Sequence, residues 1–497
     1  MQLPTFASLN LLAILPVLLL LLWACVLMVV DLFIPAGRKQ WTAWLAVLGL
    51  VGAGVLTLSE LTGYITTGAS EAFGGMLTID GFALFVQLTV LLAAIIGILI
   101  ALNYLSRQGF DRGEYYTLLL FTTSGMMVMA LASDLIVVFL ALELLSIPLY
   151  VLAGFARPRL ESEESAMKYF LLGAFASGFL VYGIALTYGG TGTTALSGVV
   201  DALAGEAVNL PLAIAGMGLM LVGLGFKVAA VPFHMWTPDV YQGAPTPVTG
   251  FMSVGAKAGG FAALLRVLVI AFPALSDTWG IMIAVIAALT MIMGNFVAIS
   301  QTNIKRMLAY SSIAHAGYIL VAVAAAQYTD DTAMAVGAAL FYLLTYTFTN
   351  LGAFGVVIAL EKDDGTGINL EDFAGLGRTR PGLALAMALF MLSLTGMPPS
   401  AGMVGKFFVF QAAVSAARGD PFLLAVTIIG VLTSVISAFY YIRVIVIMYM
   451  QEGEGKATLQ PALSAALIIT AAVTFVLGIV PGPVFRLAQQ ALLELVG

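Results

Sequence analysis

Fourteen apolar segments, most of them near bilayer-spanning length, constrain this chain more than any other feature. They run at roughly 9–33, 42–62, 80–104, 115–132, 135–156, 165–188, 210–231, 246–272, 278–299, 303–326, 332–360, 382–416, 421–449 and 461–480, and about 20 consecutive apolar residues cross the hydrocarbon core as a helix. Of 497 residues, 61% are hydrophobic and only 9% charged, against roughly 25% charged in a soluble domain. This excludes an ordinary soluble enzyme, a secreted disulfide scaffold and a disordered chain. The net charge of −6 and the lack of a basic tract exclude a nucleic-acid binder. The expected fold is an all-α polytopic membrane protein of about fourteen transmembrane helices.

The loop charges give the expected topology. Arg38 and Lys39 follow segment 1, Arg107 and Arg112 segment 3, and Arg157 and Arg159 segment 5. Lys305 and Arg306 follow segment 9, Lys362, Arg378 and Arg380 segment 11, and Lys456 segment 13. The loops at 62–80, 133–134, 189–209 and 327–331 have no Lys or Arg, and the loop after segment 7 is the one odd loop without them. The positive-inside rule places the odd loops in the cytoplasm and both termini outside. No Lys or Arg precedes the first apolar run, so it reads as a span rather than a cleaved signal. After Pro481 and Pro483, residues 484–496 are expected to form a short interfacial helix with Leu487, Ala491 and Leu495 on one side.

Cofactor chemistry finds little to hold it. Cys25 stands alone, and His234 and His315 lie far apart in sequence. That is no framework for an iron–sulfur cluster, and it disfavours a bis-histidine haem. No Gly-rich phosphate loop opens a helix in a βαβ context. Any redox chemistry is therefore expected on a partner.

Few charges stay inside the spans: Glu143, Lys227, Lys257 and Lys406 are the clearest. An ionisable group there is costly and points to function. Glu143 sits mid-span, five residues before Pro148; its structural alternative is a protonated or fixed-pair carboxyl. Lys227 ends a segment just before Pro232, where a broken helix exposes carbonyls; the alternative is a C-terminal cap. Lys257 lies among small residues in Ser-Val-Gly-Ala-Lys-Ala-Gly-Gly (253–260), with an interhelical ion pair as its alternative. Lys406 follows Gly-Met-Pro-Pro-Ser-Ala-Gly (396–402), which interrupts segment 12 as Pro232 interrupts segment 7. Secondary candidates are Lys168, which has Glu164 at i−4, Lys305, which also reads as positive-inside flank, and His315, able to relay protons at neutral pH. Arg266 and Arg443 read as snorkelling helix-end residues.

Two interrupted helices five spans apart, each with a lysine close by, point to a transport site between repeats. The odd offset implies inverted repeats. The expected division is three helices at 1–110, repeat 1 (helices 4–8) at 111–273, repeat 2 (helices 9–13) at 274–450, and a fourteenth helix with its C-terminal segment at 451–497. A lysine withdrawn from water loses basicity and can exchange a proton. A carboxylate within about 4 Å would hold its charge by about 4 kcal/mol at an effective dielectric near 20. A Glu–Lys pair can thus switch, and further lysines can carry the proton on. Moving a charge against 100 mV costs about 2.3 kcal/mol, so an outside energy source is needed.

Phe-Lys-Val-Ala-Ala-Val-Pro-Phe-His-Met-Trp-Thr-Pro-Asp-Val-Tyr-Gln-Gly-Ala-Pro-Thr-Pro-Val (226–248) and Asn-Ile-Lys-Arg-Met-Leu-Ala-Tyr-Ser-Ser-Ile-Ala-His (303–315) carry a resemblance over essentially the whole chain. The chain resembles the antiporter-like membrane subunits of respiratory complex I and of Mrp-type cation/proton antiporters. Three features point to one branch in bacterial NADH-quinone oxidoreductase: the stretch 143–155, Lys257 where sister subunits more often have histidine, and Lys406 where one sister type has glutamate. Leu142 departs from the pattern, standing where a tryptophan is common.

The resemblance implies that Glu143 and Lys227 are the coupled pair, Lys257 the central relay and Lys406 the exit-side carrier. It also implies that Lys168 flanks Glu143 and that Lys305 lies in a half-channel. NADH, FMN, iron–sulfur clusters and quinone would sit on other subunits, with no cofactor on this chain. Partners would be other membrane subunits, including sister antiporter-like ones, in a bacterial inner membrane. The alternatives are a stand-alone Mrp-type antiporter subunit, a related complex with another electron donor, or a purely structural membrane scaffold.

Overall fold

The computed structural model describes residues 9–328, 332–417 and 420–494, and every one of the fourteen segments contains a helix. The first seven helices are α1 (Leu15–Asp31), α2 (Gln40–Thr67), α3 (Gly81–Ala101), α4 (Glu114–Leu131), α5 (Leu135–Ala153), α6 (Leu160–Thr191) and α7 (Leu210–Val228). A short α8 (Trp236–Gly243) precedes α9, which runs over Thr246–Ala271. Then come α10 (Ser276–Ile299), α11 (Ile304–Tyr328), α12 (Thr332–Leu360), α13 (Pro381–Thr395), α14 (Ala401–Ala416), α15 (Pro421–Met450), α16 (Pro461–Ile479) and α17 (Gly482–Gln490). This is an all-α polytopic membrane protein. Twelve helical segments among the described residues are long and apolar enough to span a bilayer unaided. The other two expected segments are α4 and the split α13–α14.

Helix ends follow their capping residues. Asp80 accepts from the Ala83 amide (2.8 Å) and Asp134 from the Ile136 amide (2.8 Å), opening α3 and α5. Pro148 lies inside α5 without ending it. The only strands described, β1 (Ser70–Ala72) and β2 (Leu77–Ile79), form an antiparallel hairpin between α2 and α3.

Loops sort to two faces as the charge alternation requires. The turns after α3, α5 and α12 and the start of α11 surround one cavity. On the other face the hairpin bridges Ala132 and Asp134 bridges Ala195. Both described chain ends join that face: the Leu9 carbonyl accepts from the Phe73 amide, and the Glu494 amide donates to Asp80.

Close packing comes from small residues. A side chain on Gly183 of α6 would strike the Gly216 carbonyl of α7, and one on Gly294 of α10 would strike the Ala314 backbone of α11. Such small-residue seams let helices pack where lipid supplies no hydrophobic drive. In the most apolar stretches of α9, α11 and α12, 94% of residues are buried, against 33% in α1, α6 and α15. These three helices form the bundle axis.

Two expectations are corrected. The C-terminal helix ends at Gln490, short of the expected 496, and Leu495 lies outside the described residues. It docks on the bundle, where Phe485 stacks on Phe408 with ring centres 3.4 Å apart. Arg266 does not snorkel. It is fully buried and pairs with Asp80 at 2.7 Å.

Candidate functional site

The broken helices are built alike. Helix α7 ends on Ala229 (φ 63°) and α13 on Gly396 (φ 92°), both left-handed. For alanine this conformation costs about 1–2 kcal/mol, and backbone strain of this kind clusters at functional sites. Trp236 of α8 folds back to donate its indole N–H to the Phe226 carbonyl at 3.0 Å and stacks on Tyr169.

Lys227, 4% exposed, sits in the last turn of α7. Its Nζ donates to Ser146 Oγ (2.8 Å) on α5 and to the Tyr169 hydroxyl (3.2 Å) on α6. Glu143, one turn before Ser146, accepts from Ser177 Oγ at 2.5 Å. Ser146, Ser177 and Lys227 line a void of about 10 Å³, near the lower limit for one water molecule. Glu143 is half-buried, on the face of α5 that exposes Leu140 and Ile147. In this chain it therefore reaches the lateral surface.

Lys257 is held by α11, donating to the Ser312 carbonyl (2.5 Å) and hydroxyl (2.6 Å). A π-helical turn, Met252–Ala256, immediately precedes it; such turns recur at functional positions. Gly260, one turn on, is packed against the Lys227 side chain. One turn beyond Ser312, His315 hydrogen-bonds Tyr342 (2.7 Å) through Nδ1 and Tyr441 (3.1 Å) through Nε2. Tyr441 also bonds Ser311 at 2.5 Å.

Lys406 reaches back across the break in segment 12. Its Nζ donates to the Leu394 and Thr395 carbonyls (both 2.9 Å) and to Ser434 Oγ (2.7 Å). A cation here meets the negative end of α13. It also lies 4.6 Å from the Tyr318 ring centre, whose hydroxyl accepts from Asn295 at 3.1 Å. The structure thus sets a polar band that runs from Glu143 at the lateral surface through Lys227, Lys257 and His315 to Lys406 within an apolar bundle.

None of Lys227, Lys257 and Lys406 has a carboxylate within 4.0 Å among the described residues. Hydroxyls and carbonyls hold them instead, so the interhelical ion pair set against Lys257 is absent. Neutral partners leave a lysine bonded without requiring a fixed counter-charge.

The secondary candidates fall elsewhere. Lys168 bridges Glu164 (2.6 Å) and Asp239 (2.7 Å), and Glu143 is not among its bonded partners. Lys305 is no exposed flank: it is 3% exposed and donates to the Ala244 carbonyl at 2.6 Å. Arg443 caps α10 through the Ile299 and Gln301 carbonyls (3.0 and 2.9 Å).

Asp239 and Glu361 were not visible as site residues in the sequence. Asp239 lies in the quoted 226–248 motif, but its partners come from α6 and α11. Glu361 reads as a loop charge beside Lys362.

Asp239 accepts from Lys168 and from Arg306 (both 2.7 Å), tying α6, α8 and α11 together. Burial pushes its carboxyl up, but the bonds and charges of Lys168 and Arg306 outweigh this and hold its pKa below the ordinary value. A depressed folded-state pKa contributes stability above the unfolded carboxylate value and loses it as pH falls through the folded one. We expect Asp239→Asn to flatten the acid limb of a pH–stability profile while changing neutral stability by about 1 kcal/mol or less, as for partly exposed pairs. An unchanged acid limb would show that the bridge does not couple to folding.

Among the described residues, no three His, Cys, Asp or Glu side chains gather as metal ligands.

Comparison with known proteins gives consistent results. The NADH:quinone oxidoreductase/Mrp antiporter transmembrane family matches residues 132–437. NADH-quinone oxidoreductase subunit N of Trichlorobacter lovleyi is 49% identical over 491 residues, 98% of this chain and 98% of that protein. Subunit N of Chloroflexus aggregans is 49% identical over 97% of each chain. A chain of respiratory complex I from Thermus thermophilus matches with a TM-score of 0.79 and 36% identity, covering 95% of this chain and 99% of that one.

Proposed function

Since the chain belongs to the NADH:quinone oxidoreductase/Mrp antiporter transmembrane family, with full-length relatives named NADH-quinone oxidoreductase subunit N, we propose that it is the proton-translocating, antiporter-like membrane subunit of such an oxidoreductase. The observation that supports this best is the polar band, whose three lysines are each bonded by neutral groups inside the bundle. The names of the full-length relatives favour this over a stand-alone antiporter.

In this reading electrons pass from NADH to quinone on other subunits, and this chain only moves protons. Glu143 and Lys227 are the coupled pair. When the carboxylate swings toward Lys227, the Coulomb attraction, about 4 kcal/mol at 4 Å and an effective dielectric near 20, holds the lysine charged. When it swings away, the proton is released toward Lys257. His315 and its tyrosines link Lys257 to Lys406, which delivers the proton outward. The half-buried position of Glu143 suits a switch that a neighbouring subunit can bias. The same reading divides the chain into 1–110, inverted repeats 111–273 and 274–450, and 451–497, with both termini outside. The matching breaks after Lys227 and before Lys406 support the repeats.

The test is proton pumping by assembled complex carrying Glu143→Ala or Lys227→Ala. We expect either to lower coupled pumping by about a hundredfold, within the range of positioned proton-transfer groups. Normal pumping by both would remove the mechanism and favour a structural scaffold.

A further inference from the structure

A cavity of about 530 Å³ opens on the face formed by the basic loops. Its ionisable lining has five carboxylates against three cations, an excess that raises local cation and proton concentration.

Glu361 closes the cavity floor, just beyond the end of α12, and is 5% exposed. Its Oε1 accepts from the Tyr104 hydroxyl (2.8 Å) and its Oε2 from Thr246 Oγ1 (2.5 Å). Lys305 lines the same cavity. The other carboxylates there are less suited to take up a proton and pass it inward. Asp239 is pinned by two cations, which only donate. Hydroxyls both donate and accept, so Tyr104 and Thr246 can bond Glu361 ionised or protonated.

The floor is joined to the centre by two helices. Thr246 and Lys257 are eleven residues apart on α9, and Lys305 and Ser312 seven apart on α11. At about 100° per residue the seven-residue separation returns to one face of α11, whereas the π-helical turn at Met252–Ala256 shifts the phase of α9 between Thr246 and Lys257. The α11 face that holds Lys257 at Ser312 is thus the one that carries Lys305 into the cavity beside Glu361.

We propose that this cavity is a loading vestibule of the proton path, feeding Lys257 directly rather than through Lys227, and that Glu361 is its first proton acceptor. A hydrated proton in the cavity adds to a carboxylate oxygen of Glu361 and neutralises it. The proton then leaves along the α11 face from Lys305 to Ser312 and on to an unprotonated Lys257 amine, restoring the carboxylate. The proposal rests on the proton-translocation reading.

The experiment uses the whole complex reconstituted in liposomes, with Glu361→Gln, Glu361→Asp and Lys257→Ala compared. Glu361→Gln is expected to assemble and to lower coupled pumping by about tenfold or more, with Glu361→Asp recovering most of it. A merely structural Glu361 predicts normal pumping by Glu361→Gln, because the amide still bonds Tyr104 and Thr246; that result overturns the proposal. Lys257→Ala separates the two levels. If Lys257→Ala pumps normally, the translocation reading itself fails; if it is inactive while Glu361→Gln is normal, only the loading role fails.

Should Glu361→Gln not assemble, a Thr366→Cys variant in a Cys25→Ser background decides, since Thr366 lines the cavity. Modification by a bulky, membrane-impermeant cationic thiol reagent should cut pumping about tenfold relative to the same complex unmodified. Undiminished pumping after complete modification overturns the vestibule.

Discussion

Lys406→Arg is expected to leave the complex assembled and to stop its coupled proton pumping. Arginine keeps the positive charge and several N–H donors for the Leu394 and Thr395 carbonyls, but it does not release its proton in proteins. A lysine that only caps the broken helix would be replaced at little cost. A lysine that carries a proton cannot be replaced at all, so pumping should fall by about a hundredfold or more. Lys406→Ala should be worse for stability, leaving the buried Leu394 carbonyl without its donor at about 1–3 kcal/mol, while the Thr395 carbonyl keeps the Ser434 hydroxyl at 3.2 Å. Proton-to-electron ratios in proteoliposomes, with subunit content checked by electrophoresis, provide the measurement. A pumping Lys406→Arg complex would show that the cation, not its proton, is what the site needs.

The second large effect is structural. Asp80→Ala should destabilise the chain by about 3–5 kcal/mol, the usual result of leaving one half of a buried ion pair. Arg266 is fully buried, its Nε donating to the Ala130 carbonyl at 3.0 Å, its guanidinium 5.2 Å from the Phe82 ring centre. Asp80 also caps α3 and accepts from the Glu494 amide at 3.0 Å. One carboxylate thus joins the hairpin end, segment 8 and the C-terminal tail. The double change Asp80→Ala with Arg266→Met should recover much of the loss, because apolar replacement of a buried pair is often neutral. Thermal unfolding in detergent, together with the yield of assembled complex, reads both. An Asp80→Ala chain as stable as its parent would mean that Arg266 finds another partner.

Chemistry at Lys406 was legible because a charge inside an apolar run stands out, whatever the fold around it. So were the two breaks, since proline and glycine interrupt helices locally. Arg266 misled for a related reason. A helix-end arginine with no acid nearby in sequence looks free to snorkel, and its partner lies 186 residues away. In the sequence Lys305 reads as a flank because it stands next to Arg306. The fold then buried one and left the other partly exposed.

The sequence by itself determined the class, the helix positions, the alternation of loops and three of the buried charges, Lys227, Lys257 and Lys406. Each of these rests on hydropathy or on chain-local sterics, which act over one or two turns. Only the tertiary structure decided what each charge touches. It held the lysines with serines, tyrosines and helix-end carbonyls rather than carboxylates, put Glu143 at the lateral surface, and set Glu361 on a cavity floor. Hydropathy cannot separate a helix at the bundle axis from one facing lipid, because both are apolar all round. Which of the two a helix becomes depends on contacts between residues far apart in the chain, and those contacts also choose the partners of every charge it carries.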